Sequence, residues 1–443
     1  MQIIISIERP GAMARLGGLT VWRRLVRSLE TLKTGPIKLF VAKEFDAASF
    51  PFSKPDGNLE LEWLAPGAAS LTIAAILQCL QETHGEVLVV PGDLVIDPRL
   101  LRALVACPPS TALIDTALPQ ALVGSIGEVP SVSGGYVCGP AVLAQSWLES
   151  RDGPIWSQLT AGLSKDELDS CDVARLPTYA PELRKPMRPY WFRVGLSEPT
   201  VPAKPANLQT AKRLLLDATQ KGALDIPALF HAPIEKFAAW QLADTAVTPN
   251  LITGLTTVFA WIATWQFAVG NLPLGISIAL AVGVLDGIDG KLARLRLETS
   301  KVGELEHWLD FAYEWSWWAA LAYHFSSSGI LPNAWRLLGI LAVAEVIDGL
   351  MKLSILRTFG KTIDEMGPFD RIVRLVGGRR NIYVWILALG IFVGHADTAF
   401  TLVPWLEAGT ALIHSFRAPW LIWNQPRPTR ARESENSRLE TSQ

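Results

Sequence analysis

Apolar and polar positions follow two rhythms along this chain, and the change falls near residue 245. Before it, apolar runs of strand length alternate with charged stretches. Met1-Gln2-Ile3-Ile4-Ile5-Ser6-Ile7-Glu8 reads as a buried first strand, too short and wrongly flanked for a signal peptide. Residues 86–91 predict another buried strand, ending in the acidic turn Gly92-Asp93 and followed by a helix beginning near Pro98. Gly134-Gly135-Tyr136-Val137-Cys138 predicts a further strand, and Ala211-Lys-Arg-Leu-Leu-Leu216 a helix. Strands alternating with helices predict a parallel α/β sheet.

Beyond residue 245 the apolar segments lengthen to membrane-spanning size. Residues 251–270 carry no charge over twenty positions, enough for a hydrocarbon core of about 30 Å. Further spans are expected at 271–285, 304–325, 335–356, 382–394 and 398–416, giving six. Lys291, Arg294, Arg296 and Lys301 lie between spans two and three, and Arg357, Lys361, Arg371, Arg374, Arg379 and Arg380 between four and five. The alternate loops have no Lys or Arg, which places the basic loops and both termini on the cytoplasmic side. Residues 227–245 space Leu229, Phe230, Ile234, Phe237 and Trp240 as on a helix lying in the membrane surface, or packed on the soluble half. Residues 425–443 are polar and read as a disordered tail.

Composition sharpens this picture at a few points. Hydrophobic residues make up 49% of the 443 and charged residues 19%, which excludes a disordered chain. Twelve of the 17 tryptophans lie at Trp240 or later, as expected of side chains that favour membrane interfaces. A formal net charge of -2 removes the electrostatic case for a nucleic-acid partner. Cys79, Cys107, Cys138 and Cys171 form no CxxC pair, and a reducing compartment suits them. The expected location is the inner, cytoplasmic membrane, multi-pass, with the N-terminal half in the cytoplasm.

Candidate chemistry concentrates between spans two and three, in Asp286-Gly-Ile-Asp289-Gly290-Lys-Leu-Ala293-Arg294, then eight residues, then Gly303-Glu-Leu-Glu306-His307-Trp-Leu-Asp310. Asp286 and Asp289 are three apart, and Glu306 and Asp310 four apart, so each pair shares a helix face. Crowded carboxylates call for a divalent cation, and hard oxygen ligands point to Mg²⁺, Mn²⁺ or Ca²⁺. Gly290 and Ala293 leave room for a ligand against the backbone, and Arg294 offers a phosphate-matching fork. The bland reading is solvated charges outside the bilayer; ionisable residues at span ends facing a bundle argue for function.

At these residues the chain resembles the CDP-alcohol phosphatidyltransferase family, whose motif is D-x-x-D-G-x-x-A-R-x8-G-x3-D-x3-D. Asp286 through Gly303 match, and Thr248-Pro249-Asn250-Leu-Ile-Thr253 is similar to the family's lead into its first helix. The resemblance implies transfer of a phosphate-linked group from a CDP-alcohol to an acceptor hydroxyl, with release of CMP. It implies two metals, Mg²⁺ or Mn²⁺, between the aspartates and the pyrophosphate, with the last aspartate as general base. It assigns Asp286, Asp289, Glu306 and Asp310 to the metal, Asp310 also to the base, and Gly290, Ala293, Arg294 and Gly303 to the nucleotide. The motif departs at His307 and Phe311, where aspartates are expected. Glu306 with Asp310 keeps the spacing one residue early; Asp310 with Glu314 keeps it one turn later.

The N-terminal half is similar to sugar-phosphate nucleotidyltransferases, and the two halves together resemble bifunctional inositol-phosphate cytidylyltransferase/di-myo-inositol-phosphate phosphate synthases. Pro10-Gly11-Ala-Met-Ala-Arg15-Leu-Gly17-Gly18 keeps the glycines and the arginine of the nucleotide loop, but Leu19-Thr20 stands at the Pro-Lys position. Arg193 stands where a second metal-binding aspartate is expected, with Asp93 as the first. The domain is therefore read as one that binds or scaffolds, against the alternative of an active cytidylyltransferase in a bifunctional enzyme. A third reading is an ion-coupled transporter or binding protein, for which inverted repeats would speak. The expected architecture is an N-terminal α/β nucleotidyltransferase-like domain over 1–220 and a C-terminal all-α six-helix transmembrane domain over 226–424, with the tail at 425–443. The expected partners are a CDP-alcohol, a hydroxyl acceptor and membrane lipid, with a homodimer left open.

Overall fold

The computed structural model describes residues 1–32, 36–43, 45, 62–64, 68–80, 85–123, 129–132, 134–195, 205–222, 225–298 and 303–426, without the side chains of 62–64, 121, 123, 205–206 and 303–307. Residues 427–443, most of the expected tail, lie outside the described residues. The chain divides into two compact units. The first is Met1–Gln220 with Trp240–Thr245 and Ala293–Glu298; the second is Lys221–Ala239, Ala246–Leu292 and Thr299–Gln443.

The first unit is an α/β domain. Its strands are β1 (Gln2–Ile7), β2 (Arg15–Leu16), β3 (Leu19–Thr20), β4 (Ile37–Val41), β5 (Glu62–Leu64), β6 (Glu86–Pro91), β7 (Leu94–Ile96), β8 (Thr111–Asp115), β9 (Ser131–Val132), β10 (Gly135–Ala144), β11 (Asp169–Asp172), β12 (Tyr179–Ala180), β13 (Lys185–Pro186) and β14 (Trp191–Arg193). Its helices are α1 (Val21–Glu30), α2 (Ile73–Leu80), α3 (Pro98–Val105), α4 (Gln120–Val123), α5 (Gln145–Glu149), α6 (Ile155–Ser164) and α7 (Pro205–Thr219).

The main sheet runs β11-β8-β10-β6-β1-β4-β5, with β9 beside β10. All six residues of β1 are buried, as an apolar strand covered on both faces requires. β1 pairs parallel with β4 and β6, and β8 with β11. The sheet is parallel as expected except at β10, which runs antiparallel to both β6 and β8. β9 pairs antiparallel with the start of β10. One face is closed by α2, α5 and α6 through Ile76, Leu148 and Leu159 against Ile4, Val87 and Val89. α3 begins as the turn chemistry predicts, with Pro98 in its first turn and the Asp97 carboxylate accepting from the Arg99 amide at 3.0 Å.

Eight helices follow: α8 (Ile226–Ala243), α9 (Pro249–Ala268), α10 (Leu272–Arg296), α11 (Gly303–Ser327), α12 (Ala334–Phe359), α13 (Pro368–Val376), α14 (Arg380–Val393) and α15 (Ala396–Asn424). Six of them, α9 to α12 with α14 and α15, fall on the six expected segments. Among the described residues, three stretches are long and apolar enough to cross a membrane: Pro249–Ala268, Leu272–Arg296 and Pro368–Val393. α12 buries Asp348, and α15 buries Glu407 and His414.

The second unit is cored by Phe267, Ile276, Trp317, Trp318, Leu321 and Phe400. Trp317 donates its indole N–H to the Ala260 carbonyl at 2.8 Å, which satisfies the one polar atom it buries. These two tryptophans correct the interfacial expectation; Trp265, Trp405 and Trp423 are exposed. α8 exposes Leu229, Phe230, Ile234 and Phe237 along one side.

Candidate active site

α10 carries both motif aspartates. Asp286 accepts from the Arg380 guanidinium at 2.8 Å, from the first turn of α14. The same guanidinium donates to the Tyr313 hydroxyl at 2.9 Å, and Tyr313 donates to Asp310 Oδ1 at 2.7 Å, both on α11. Arg380 also lies over the Tyr313 ring, 5.4 Å from its centre. Asp286 and Asp310 are thus joined through one arginine and one phenol across three helices. Glu314, one turn beyond Asp310, faces the same guanidinium electrostatically.

Asp289 is buried and differently held. Thr253, one turn into α9, donates to Asp289 Oδ2 at 2.7 Å. α9 is placed by Thr248, whose hydroxyl caps the Leu251 amide at 3.2 Å ahead of Pro249. The chain enters the helix at Pro249 itself. Below this pair, Lys291 of α10 forms a buried ion pair with Glu235 of α8. Gly287 sits against that carboxylate so closely that a Cβ would overlap it. His231 accepts from the Trp385 indole at 3.2 Å, seating α8 on α14.

Of the expected site residues, Asp286, Asp289, Gly290 and Ala293 lie in sequence on α10, and Asp310 reaches Asp286 through Arg380 and Tyr313. Arg294, near the end of α10, donates its Nε to the Thr219 carbonyl at 2.8 Å. Gly303 begins α11; the side chain of Glu306 lies outside the described residues. Among the described residues, no group of three or more His, Cys, Asp and Glu side chains converges as a metal centre would require. The donor chemistry nevertheless suits a hard cation: carboxylates only, two of them one turn apart on one helix. The charge set against Asp286 here is Arg380.

Sequence reading missed Arg380, Tyr313 and Thr253 as site residues. Arg380 appears in the sequence as one of six loop cations, and only the fold of α14 onto α11 singles it out. Thr253 stands in the stretch leading into α9, with nothing in its spacing to tie it to a residue 36 positions later.

In the first unit, Asp93 follows β6 and is almost fully buried. Arg193, on β14, binds it at 2.6 and 2.9 Å. The arginine at the expected second-aspartate position thus supplies a fixed positive charge to the first. The β2–β3 hairpin turns through Gly17 and Gly18 with φ of 58° and 85°, the two left-handed positions of a type I′ turn.

Residues 246–413 match the CDP-alcohol phosphatidyltransferase family, so the second unit carries a CDP-alcohol phosphatidyltransferase domain. Three curated relatives are described as bifunctional IPC transferase and DIPP synthase. The chain is 25% identical to that of Aquifex aeolicus over 238 residues, 50% of each chain. It is 32% identical to that of Thermococcus kodakarensis over 142 residues, 31% of this chain and 32% of that one. It is 28% identical to that of Rubrobacter xylanophilus over 163 residues, 36% and 34% of the two. The matches span from about a third to half of these relatives' length. Among solved structures, the chain is similar to the Mycobacterium tuberculosis phosphatidylinositol phosphate synthase with CDP-DAG bound: 18% identity, 44% of this chain, 96% of that one, TM-score 0.35. It is likewise similar to the inositol-1-phosphate CTP transferase of T. maritima: 11% identity, 48% and 96% coverage, TM-score 0.34.

Proposed function

We propose that this chain is an integral-membrane phosphotransferase that moves a substituted phosphate group from a CDP-alcohol to an acceptor hydroxyl and releases CMP. The observation that carries the reading is the uninterrupted D-x-x-D-G-x-x-A-R-x8-G match that begins on α10 and ends at Gly303, the first residue of α11, inside the segment that matches the family. The names of the relatives favour a polyol-phosphate acceptor or CDP-polyol donor over a purely lipid pair.

Asp286, Asp289, Glu306 and Asp310 are the proposed ligands of Mg²⁺ or Mn²⁺, with Gly290, Ala293, Arg294 and Gly303 against the nucleotide. When bound, the metal supplies positive charge to the pyrophosphate and to the departing CMP. Asp310 takes the proton of the acceptor hydroxyl as its oxygen forms a bond to phosphorus. The bond from phosphorus to the CMP oxygen breaks, and CMP leaves with that electron pair. Arg380 and Tyr313 hold Asp310 in place, and Thr253 fixes the rotamer of Asp289. The chain is multi-pass in the cytoplasmic membrane, with lipid around the helices and the α/β domain on the cytoplasmic side.

The α/β domain is proposed as a scaffold, because Arg193 occupies Asp93 where a working cytidylyltransferase would hold a metal. Full-length protein incubated with CTP and a phosphorylated polyol should release no pyrophosphate; Asp93-dependent release would make it bifunctional. The phosphotransfer reading is tested with labelled CDP-alcohols and a panel of acceptors, which should yield CMP and one labelled product.

A further inference from the structure

Within the first unit, the C-terminal ends of α7, α8 and α10 meet at one junction, and each hands its terminal carbonyls to an arginine. The last carbonyls of a helix have no partner within it and carry the negative end of its dipole. At the end of α7, Thr219 O accepts from Arg294 at 2.8 Å. At the end of α8, Leu242 O and Thr245 O accept from Arg296 Nη2 at 2.8 Å each, and Ala243 O from its Nε at 3.1 Å. At the end of α10, Leu295 O accepts from Arg24 at 2.6 Å and Arg296 O from Arg27 at 2.5 Å, both on α1.

Arg24, like Arg296, is buried. Its Nη2 also serves Leu16 O at 2.8 Å and Gly17 O at 3.3 Å, so one nitrogen ties the β2–β3 hairpin to Leu295. The hairpin turn is pressed into the same place. A Cβ on Gly17 would come within 2.7 Å of the Leu295 side chain, and one on Gly18 would strike the Ala243 carbonyl. α10 closes with Glu298 N–H bonded to Ala293 O at 2.9 Å and Leu297 in the left-handed region at φ 53°. A leucine holds that conformation only where its surroundings impose it.

We infer that the Gly17–Gly18 turn and Arg24 form a seat for the end of α10 rather than a nucleotide cradle, and that Arg24 is a positioning residue for the Asp286–Asp289 motif on that helix. The motif and the seated end share one continuous helix, with Asp289 about 10 Å along the axis from Arg296 at 1.5 Å per residue. This rests on the reading that α10 carries the phosphotransfer motif.

The test uses the full chain in lipid nanodiscs with Mg²⁺, comparing Arg24→Gln, the milder Arg27→Gln, and Arg24→Lys, with Arg102→Gln, an exposed residue of α3 paired with Glu182, as control. Amide hydrogen exchange over 286–298 should quicken at least tenfold in Arg24→Gln and measurably in Arg27→Gln. CMP release should lose at least fivefold in kcat with KM for the CDP-alcohol within twofold. Arg24→Lys should recover part of both, and the control should change neither. Should Arg24→Gln fail to fold, Arg27→Gln decides. Unchanged exchange in a folded variant overturns the seat. Unchanged kcat beside quickened exchange overturns the positioning role. Protection of 15–20 by added Mg-CTP would show a nucleotide cradle and overturn it as well. A chain without CMP release in any form refutes the phosphotransfer reading, while the exchange arm still judges the seat.

Discussion

Replacing Arg380 by Gln should damage turnover more than it damages the fold. The side chain makes two bonds the variant cannot keep together, to Asp286 at 2.8 Å and to Tyr313 at 2.9 Å. A hydrogen bond to a charged partner contributes roughly 1.5–3 kcal/mol. Asp286 keeps about a quarter of its side chain in solvent, so water recovers part of that loss. If about 2–3 kcal/mol of it falls on the placement of Asp310 through Tyr313, kcat drops roughly 30- to 150-fold, at 1.36 kcal/mol per decade. Arg380→Lys offers a single point charge instead of a fork and should recover only part. Tyr313→Phe removes the second link alone and should lie between Arg380→Gln and the unmodified chain. The assay is CMP release against CDP-alcohol concentration, with circular dichroism as the check on folding. Turnover within twofold of the unmodified chain for both Arg380→Gln and Tyr313→Phe would refute the proposed linkage.

The register of the last two carboxylates separates in three variants: Asp310→Asn should lose orders of magnitude in kcat, Glu306→Gln should raise the Mg²⁺ needed, and Glu314→Gln should be mild. A dead Glu314→Gln beside an active Glu306→Gln would move the pair one turn later. Gly287→Ala forces a methyl onto Glu235 and strains its buried pair with Lys291; overpacking of this kind costs about 1–3 kcal/mol, read as a lowered melting midpoint in detergent. An unchanged midpoint would contradict the packing. Burial and the hydrogen bond that the Cys171 thiol donates to Cys107 push Cys171 up to about 12, so alkylation of native protein at pH 8 should spare Cys171 and label it only after unfolding. Its folded form binds the proton more tightly, so this contribution to stability is whole below the ordinary thiol value near 9 and fades as pH rises towards 12. Labelling of Cys171 in native protein as fast as in denatured protein would contradict it.

Much of the architecture is legible because burial writes itself into period and length. The unbroken apolar run of β1 announces a strand covered on both faces, and residues 251–270 announce a helix of bilayer length. Pro249 and Pro98 each mark a helix start because a missing N–H is tolerated there. The direction of β10 is not legible, since a strand's apolar pattern is the same read in either sense. Trp317 and Trp318 mislead for a related reason: composition marks tryptophan as interfacial, while a single carbonyl, Ala260 O, is enough to make one a core residue. In the site, Asp286, Asp289 and Asp310 are legible from spacing along the helix. Arg380, Tyr313 and Thr253 are not, because their bonds to these carboxylates depend on how helices pack, which no local pattern encodes. Arg24, 271 positions from the carbonyl it serves, is the extreme case.

The most direct test of the central claim is a single CMP-release assay on the purified full-length chain with a labelled CDP-alcohol and a hydroxyl acceptor. The account predicts stoichiometric CMP and product with Mg²⁺ or Mn²⁺, abolition by EDTA with recovery on metal return, and a raised metal requirement in Asp289→Asn. CMP release undiminished in EDTA, or an Asp289→Asn variant with unaltered metal dependence, would contradict it.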